Sequence, residues 1–117
     1  HDNIFFMPSG SNDSVKIPVG EYSFKHKFDG TEVSVYLGIR PEHIYFEKIN
    51  SECFETNLKS ELLEYTGHEQ IVTFDYFGQQ VLGKFSSTLD IEINKALKLN
   101  FDTSQISLFD KNTKNRI

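Results

Sequence analysis

An alternation of apolar and polar residues with a period of two constrains this chain more than any other feature. It is clearest in residues 33–39, where the residues that fall on one side of an extended chain are Val33, Val35, Leu37 and Ile39. Successive side chains of a strand point to opposite faces of a sheet. The pattern therefore predicts a β-strand with one buried face.

The alternation recurs along the chain. It predicts further strands at residues 15–18, 54–65, 71–77, 81–85, 95–102 and 106–109. Turns are expected at Thr66-Gly67 and at Gly78-Gln79-Gln80, the second of which closes a hairpin. Helical turns are expected only at 41–44 and 21–26. Short antiparallel strands at this spacing are typical of an all-β fold, here a small OB-like barrel or sandwich.

The length of 117 residues fits a single domain. Eleven Phe and five Tyr supply large side chains for its core. The turn-forming stretch that ends at Ser14 separates an N-terminal arm, residues 1–14, from a domain at 15–117. Since the chain opens with His1 rather than Met, we expect a processed product or an excised piece.

Charge and cysteine content exclude several functions. The formal net charge is −5, whereas a nucleic-acid-binding protein presents a basic face to the phosphates, so no nucleic-acid partner is expected. A lone Cys53 excludes an internal disulfide and fits a reducing compartment. Cys53 is interpreted as a packing or surface residue, with a reactive thiol as the alternative.

No motif in the chain predicts catalysis. It contains neither a phosphate-binding glycine loop nor a GxSxG nucleophile turn, so it is not expected to be an enzyme or to hold a cofactor. The candidate metal ligands would be His43, His68, Glu42 and Glu69, but His68 and Glu69 follow a predicted turn, where a solvated histidine is the better interpretation. No metal site is predicted.

Aromatic residues leave a binding function open. An OB-type barrel can bind a ligand on its face through aromatic side chains. The candidates for such a face are Tyr45, Phe46, Tyr76 and Phe77, for which core packing is the alternative. A module that binds an oxyanion or a sugar therefore stays open as a second function.

The string LGIRPEHI, residues 37–44, predicts a strand that ends in a helical turn. Pro41 forces Arg40 to remain extended and is itself well placed as the first residue of a helical turn. Glu42 favours the positive end of that turn, and the guanidinium of Arg40 can reach a carboxylate. The structural interpretation is a strand terminator with a surface ion pair.

GIRPEHI also resembles the signature of the transport-associated OB domain that follows the nucleotide-binding domain in maltose-type ABC ATPase subunits. Two later blocks are similar to that family in the same order, ELLEYTGHEQIVTFDY at 61–76 and LKLNFDTSQISLFDKNTKNRI at 97–117. Gly67 falls on the glycine of the family's strand–turn–strand unit. Two positions depart from the pattern, since Asn94 and Lys114 stand where the family has glycine.

The resemblance implies an accessory, regulatory domain of the ATP-binding subunit of an ABC importer, with sugars as the implied cargo. The ATPase domain would lie upstream of this chain, and ATP and Mg²⁺ would bind there. The implied partners are that ATPase domain, a second copy of the subunit, the membrane permease subunits and a regulatory protein. The implied location is the cytoplasmic face of the membrane.

The residues expected to matter on this interpretation belong to two strings. Arg40, Pro41, Glu42 and His43 form the polar end of the signature and are expected either to fix a strand-to-turn junction or to face the ATPase domain or the second subunit. Phe109 and Asp110 belong to the closing block. Phe109 is expected in the core, and Asp110 is expected to cap the turn that follows it.

Overall fold

A computed structural model describes residues 5–11, 15–19 and 34–117. These residues form a mainly β protein with a curled antiparallel sheet, as the alternation predicts for a small OB-like fold. The predicted strand at 33–39 is present as Val35–Gly38. The helical turn expected at 21–26 and the strand position of Val33 lie outside the described residues.

The largest sheet in the described residues has five strands in the order β4-β8-β5-β6-β7. Its strands are β4 (Ile44–Tyr45), β5 (Cys53–Thr66), β6 (Glu69–Tyr76), β7 (Gln79–Ser86) and β8 (Ala96–Asp102). Two smaller pairs accompany it. β1 (Phe5–Phe6) pairs with β2 (Ile17–Pro18), and β3 (Val35–Gly38) pairs with β9 (Ser107–Asp110). Every pairing is antiparallel.

The hairpin between β6 and β7 is tighter than the sequence predicts. Gln79 and Gln80 already belong to β7, and the turn consists of Phe77 and Gly78. Both take a positive φ, 52° and 85°, which is the backbone that two-residue hairpins require. The expected turn was placed too late because Phe77 is not a residue that normally signals a left-handed conformation.

The described residues form two buried clusters. The larger one is built mainly on the five-stranded sheet and includes Phe74, Leu58 and Leu99, which are at most 1% exposed. The smaller one lies under the β3–β9 pair and is made of Val19, Ile106, Leu108 and Ile117. Phe6 and Ile39 pack against both clusters and so connect them.

Two residues that are not glycine, at the positions where the resembled family has glycine, adopt a left-handed backbone. Asn94 has a φ of 60° and Lys114 a φ of 63°. Asparagine tolerates this region and lysine rarely enters it. The turn at Lys114 is held by the bond from its backbone N–H to the carbonyl of Asp110, 2.8 Å long.

Candidate interaction groove beside the Arg40–Ile44 segment

The segment after β3 turns the chain as its sequence predicts. Arg40 is extended, with φ −72° and ψ 144°, and Pro41 begins a 3-10 turn that spans Pro41–His43. The backbone N–H of His43 donates to the carbonyl of Arg40 at 2.9 Å. Ile44, which is 1% exposed, then anchors the chain in the larger core as β4 begins. A second 3-10 turn, Thr103–Gln105, follows β8.

Arg40 and Glu42 are exposed on this turn. In the described part of the chain, ion pairs join Lys84 with Glu69 and Lys95 with Glu92. Arg40 therefore makes no ion pair with a described carboxylate, and the surface ion pair expected for it is not formed there. Both side chains are available to a partner.

His43 and Asp102 lie at neighbouring positions of the β4–β8 edge, because Ile44 pairs with Phe101. Nδ1 of His43 is buried and has no hydrogen-bond partner. Asp102 is 4% exposed and accepts hydrogen bonds from the backbone N–H and the hydroxyl of Ser104, at 3.1 and 2.6 Å. Burial pushes the pKa of Asp102 upward, but the bonds from Ser104 and Asn50 and the charge of His43 outweigh it and lower that pKa.

We expect the free energy of unfolding to fall as the pH drops below about 4. The pKa of Asp102 lies below its ordinary value of 3.8 in the folded chain, so its stabilising contribution is complete above that value and is lost as the folded carboxyl protonates. Urea unfolding at pH 7, 5 and 3 measures this. Asp102→Asn should flatten the dependence. An unchanged pH dependence in that variant would contradict the assignment.

The closing string lies apart from the signature. Gly38 pairs with Ser107 and Val35 with Asp110, so Arg40 extends beyond one end of the β3–β9 pair and Asp110 lies at the other. The structure does not bring these two residues together.

Phe109 is half-buried and belongs to neither core cluster, so the expectation that it lies in the core is wrong. Neighbouring residues of a strand alternate between the two faces, and the buried face of β9 is that of Leu108. One ring carbon of Phe109 lies 3.1 Å from the position of a Cβ at Gly38.

Asp110 caps the turn after β9, as predicted. Its Oδ1 accepts from the backbone N–H groups of Asn112 and Thr113, at 2.8 and 3.0 Å. These backbone bonds lower the pKa of Asp110, the bond from Thr113 most. Asp110 therefore caps this turn through bonds to residues within three positions of it.

An open groove of about 360 Å³ begins at Glu42 and runs between two walls. One wall belongs to β4 and the residues after it, and the other to the end of β7 and the loop that follows. The lining residues are Ile44, Tyr45, Phe46, Glu47 and Ile49 on the first wall and Lys84, Phe85, Ser86 and Leu89 on the second. The 3-10 turn lies against β7, which brings the two walls together. Three large apolar side chains border the groove and remain exposed, Phe46 at 37%, Ile49 at 51% and Leu89 at 44%.

A ring contact and two buried hydrogen bonds fix the two walls of the groove. The ring of Phe46 packs on that of Phe85, with centroids 4.9 Å apart. Gln70 is fully buried, and its Nε2 donates to the carbonyls of Ser86 and Leu89 at 2.8 and 2.7 Å. The groove is therefore preformed, because its aromatic floor and its far wall are both fixed by buried contacts.

The charge around the groove is negative. Glu42 and Glu47 line one wall and are exposed, and neither is in an ion pair with a described residue. Lys84 on the other wall is engaged by Glu69 at 3.3 Å. Among the described residues, the charged side chains that line the groove outside an ion pair are thus these two carboxylates. Lys48, which follows Glu47 in the sequence, is exposed but does not line the groove.

The four aromatic residues proposed as a ligand face do not form one surface. Tyr45 and Phe46 line the groove, but Tyr76 and Phe77 lie at the β6–β7 turn, at the other end of β7. Tyr76 is buried, meets Phe101 edge to face and shares a 2.8 Å hydrogen bond with Thr56. The core interpretation holds for Tyr76.

The other candidate ligands are scattered. His68 is exposed in the β5–β6 turn, away from the segment that carries His43. No group of three His, Cys, Asp or Glu residues suited to a metal ion occurs within residues 5–11, 15–19 and 34–117. Cys53 is a buried free thiol opposite Asp102, so the packing interpretation applies to it.

Sequence reasoning missed the far wall of the groove. Lys84, Phe85 and Leu89 are separated from the signature by about half of the domain's strands and look like ordinary strand and loop residues. A signal that could have indicated this wall is Leu89, an apolar residue in the polar stretch SSTLD.

The chain matches no family model, and no curated protein matches it. Among the residues that the structure describes, no helix is long and apolar enough to cross a membrane.

Proposed function

We propose that this chain is an accessory domain of the ATP-binding subunit of an ABC importer, with no catalytic role of its own. The support is the position of the string that resembles that family's signature. Gly38–Ile44 forms one strand-to-turn junction whose hydrophobic ends, Ile39 and Ile44, pack into the core while Arg40 and Glu42 point into solvent beside the groove. Exposed apolar surface rimmed by polar residues is typical of protein–protein contacts.

On this proposal the junction faces the ATPase domain of the same polypeptide or the second subunit, at the cytoplasmic side of the importer, and the domain supports subunit pairing and the regulation of transport. ATP and Mg²⁺ would bind to the ATPase domain. The permease subunits and any regulatory protein would be reached through the complete subunit, and sugars are the proposed cargo. A coding sequence upstream of His1 that contains a phosphate-binding loop and the ABC signature would support this assignment.

Arg40→Ala should leave the chain folded and weaken the ATPase activity of the complete subunit. Arg40 is exposed and unpaired among the described residues, so we expect its loss to change the free energy of unfolding by less than about 0.5 kcal/mol. Urea unfolding of the chain and steady-state ATP hydrolysis by the subunit measure the two effects. Lys111→Ala, which removes an exposed cation in the turn after β9, away from the groove, is the matched control. Unfolding of the Arg40→Ala chain would show that the junction is structural only.

A module that binds a small ligand is the second candidate. The groove volume of about 360 Å³ lies within the range of ligand pockets, and the exposed ring of Phe46 offers a face for a sugar. The unpaired carboxylates of Glu42 and Glu47 disfavour an oxyanion there. Titration with a panel of sugars, followed by the amide signals of the groove, separates this function from the first.

A further inference from the structure

The geometry points to a specific occupant for the groove, a protein segment in which a bulky apolar side chain lies next to lysine or arginine. The source of that segment rests on the proposed function, and of the two neighbours named there we take the ATPase domain. The chemistry of the segment follows from the groove alone.

The apolar part of the inference comes from the exposed rim. Phe46, Ile49 and Leu89 surround one groove and each leaves more than a third of its surface in water. At roughly 25 cal/mol per Å² of buried apolar surface, covering such side chains stabilises a complex. Since Phe85 and Gln70 already fix both walls, little conformational entropy is lost when a partner binds.

The charged part comes from Glu42 and Glu47. An apolar segment that carried a carboxylate would meet like charge at this wall, and a neutral one would leave two exposed carboxylates partly desolvated. A cation beside the apolar side chain pairs with them and also meets the aromatic rings of Phe46 and Tyr45. Lys84 does not cancel this preference, because Glu69 holds it.

The open form of the groove favours a protein segment over a small molecule. Pockets for small ligands cover most of the ligand's surface, whereas the rim residues here stay well exposed and the walls do not meet above the floor. An extended segment gains from such a surface because its neighbouring residues add contacts outside the groove.

The test uses the isotopically labelled chain and a short peptide in which leucine is flanked by two lysines. We expect the amide signals of Phe46, Ile49 and Leu89 to shift, and the affinity to fall with added salt. Glu42→Gln combined with Glu47→Gln should weaken binding by about tenfold, and Leu89→Ser by a similar factor. Glu61→Gln combined with Glu64→Gln, and Leu62→Ser, make the same changes at exposed positions of β5 and should have no effect.

Three results would overturn the inference. The first is equal binding of a peptide with glutamates in place of the lysines. The second is binding of butylammonium as tight as that of the peptide, which would indicate a small-molecule site. The third concerns Lys25 and Lys27, which flank His26 in a phenylalanine-rich stretch outside the described residues. If replacing both by glutamine shifts the groove signals of the free chain, the occupant is the chain itself.

A cross-linking experiment on the complete subunit tests the source separately. A photoreactive residue at Leu89 should cross-link to the ATPase domain, and one at Leu62 should not. If the peptide binds in the groove but Leu89 cross-links neither to the ATPase domain nor to the second subunit, the proposed function fails and the chemistry of the groove stands. If the cross-link forms but the basic peptide does not bind, the inferred chemistry fails and the proposed function stands.

Discussion

Phe74→Ala is expected to lower the free energy of unfolding by about 3–5 kcal/mol. Phe74 is 0% exposed, lies in the middle of β6 and has strands on both sides, where it is opposite Ser60 and Val81. Its ring meets that of Phe85 edge to face, with centroids 6.2 Å apart. Truncation removes these contacts and leaves a cavity that two sheet neighbours prevent from closing. A domain of this size has only about 5–15 kcal/mol in total.

Urea unfolding at neutral pH measures the loss. Phe77→Ala is the matched control, because Phe77 carries the same side chain three residues later but is 37% exposed at the turn, and its removal should cost less than about 1 kcal/mol. If Phe74→Ala does not fold, Phe74→Leu should fold with a smaller loss of roughly 1–2 kcal/mol. Equal effects of the two alanine variants would contradict the placement of the core.

Gly83→Val should cost about 3 kcal/mol, although valine is a better strand former than glycine. A Cβ at Gly83 would lie 2.7 and 2.8 Å from two ring carbons of Phe85 and 2.9 Å from one of Phe74. Both rings are buried, so the new side chain fits only if a ring of the core shifts. The substitution therefore displaces Phe85, which forms part of the groove, and should also weaken binding there.

Two further variants test this explanation. Leu82→Val changes the exposed neighbour of Gly83 and should alter the free energy of unfolding by less than about 0.5 kcal/mol. Phe85→Leu removes the two nearest ring carbons, so Gly83→Val should cost less in that background than in the natural chain. A stabilising effect of Gly83→Val in urea unfolding would mean that strand propensity outweighs packing at this position.

The groove also explains why one interpretation of the signature is incomplete. As a strand terminator, LGIRPEHI needs only Pro41 and the buried residues beside it. Glu42 lies in the first turn, but its carboxylate is exposed and makes no ion pair with a described residue. It does contribute a carboxylate to a surface that is apolar, preformed and open, and this is the reason to expect a partner.

Local chemistry was sufficient for the elements on which the candidate site is built. The period-two pattern predicted the strands because side chains alternate across a sheet, and Val35 and Leu37 do face the smaller core. Pro41 predicted the 3-10 turn and the extended Arg40, because both follow from the proline ring itself. Asp110 was predicted as a cap for the same kind of reason, since its partners lie within three residues.

Strand register and the groove were decided by the tertiary structure. Leu62 and Leu63 are adjacent, and an irregularity between Ser60 and Leu62 leaves Leu62 52% exposed while Leu63 packs on the core. Likewise, only the curl of the sheet brings Phe46 onto Phe85. Contacts between residues so distant in the chain depend on the packing of the whole sheet, which no local pattern specifies.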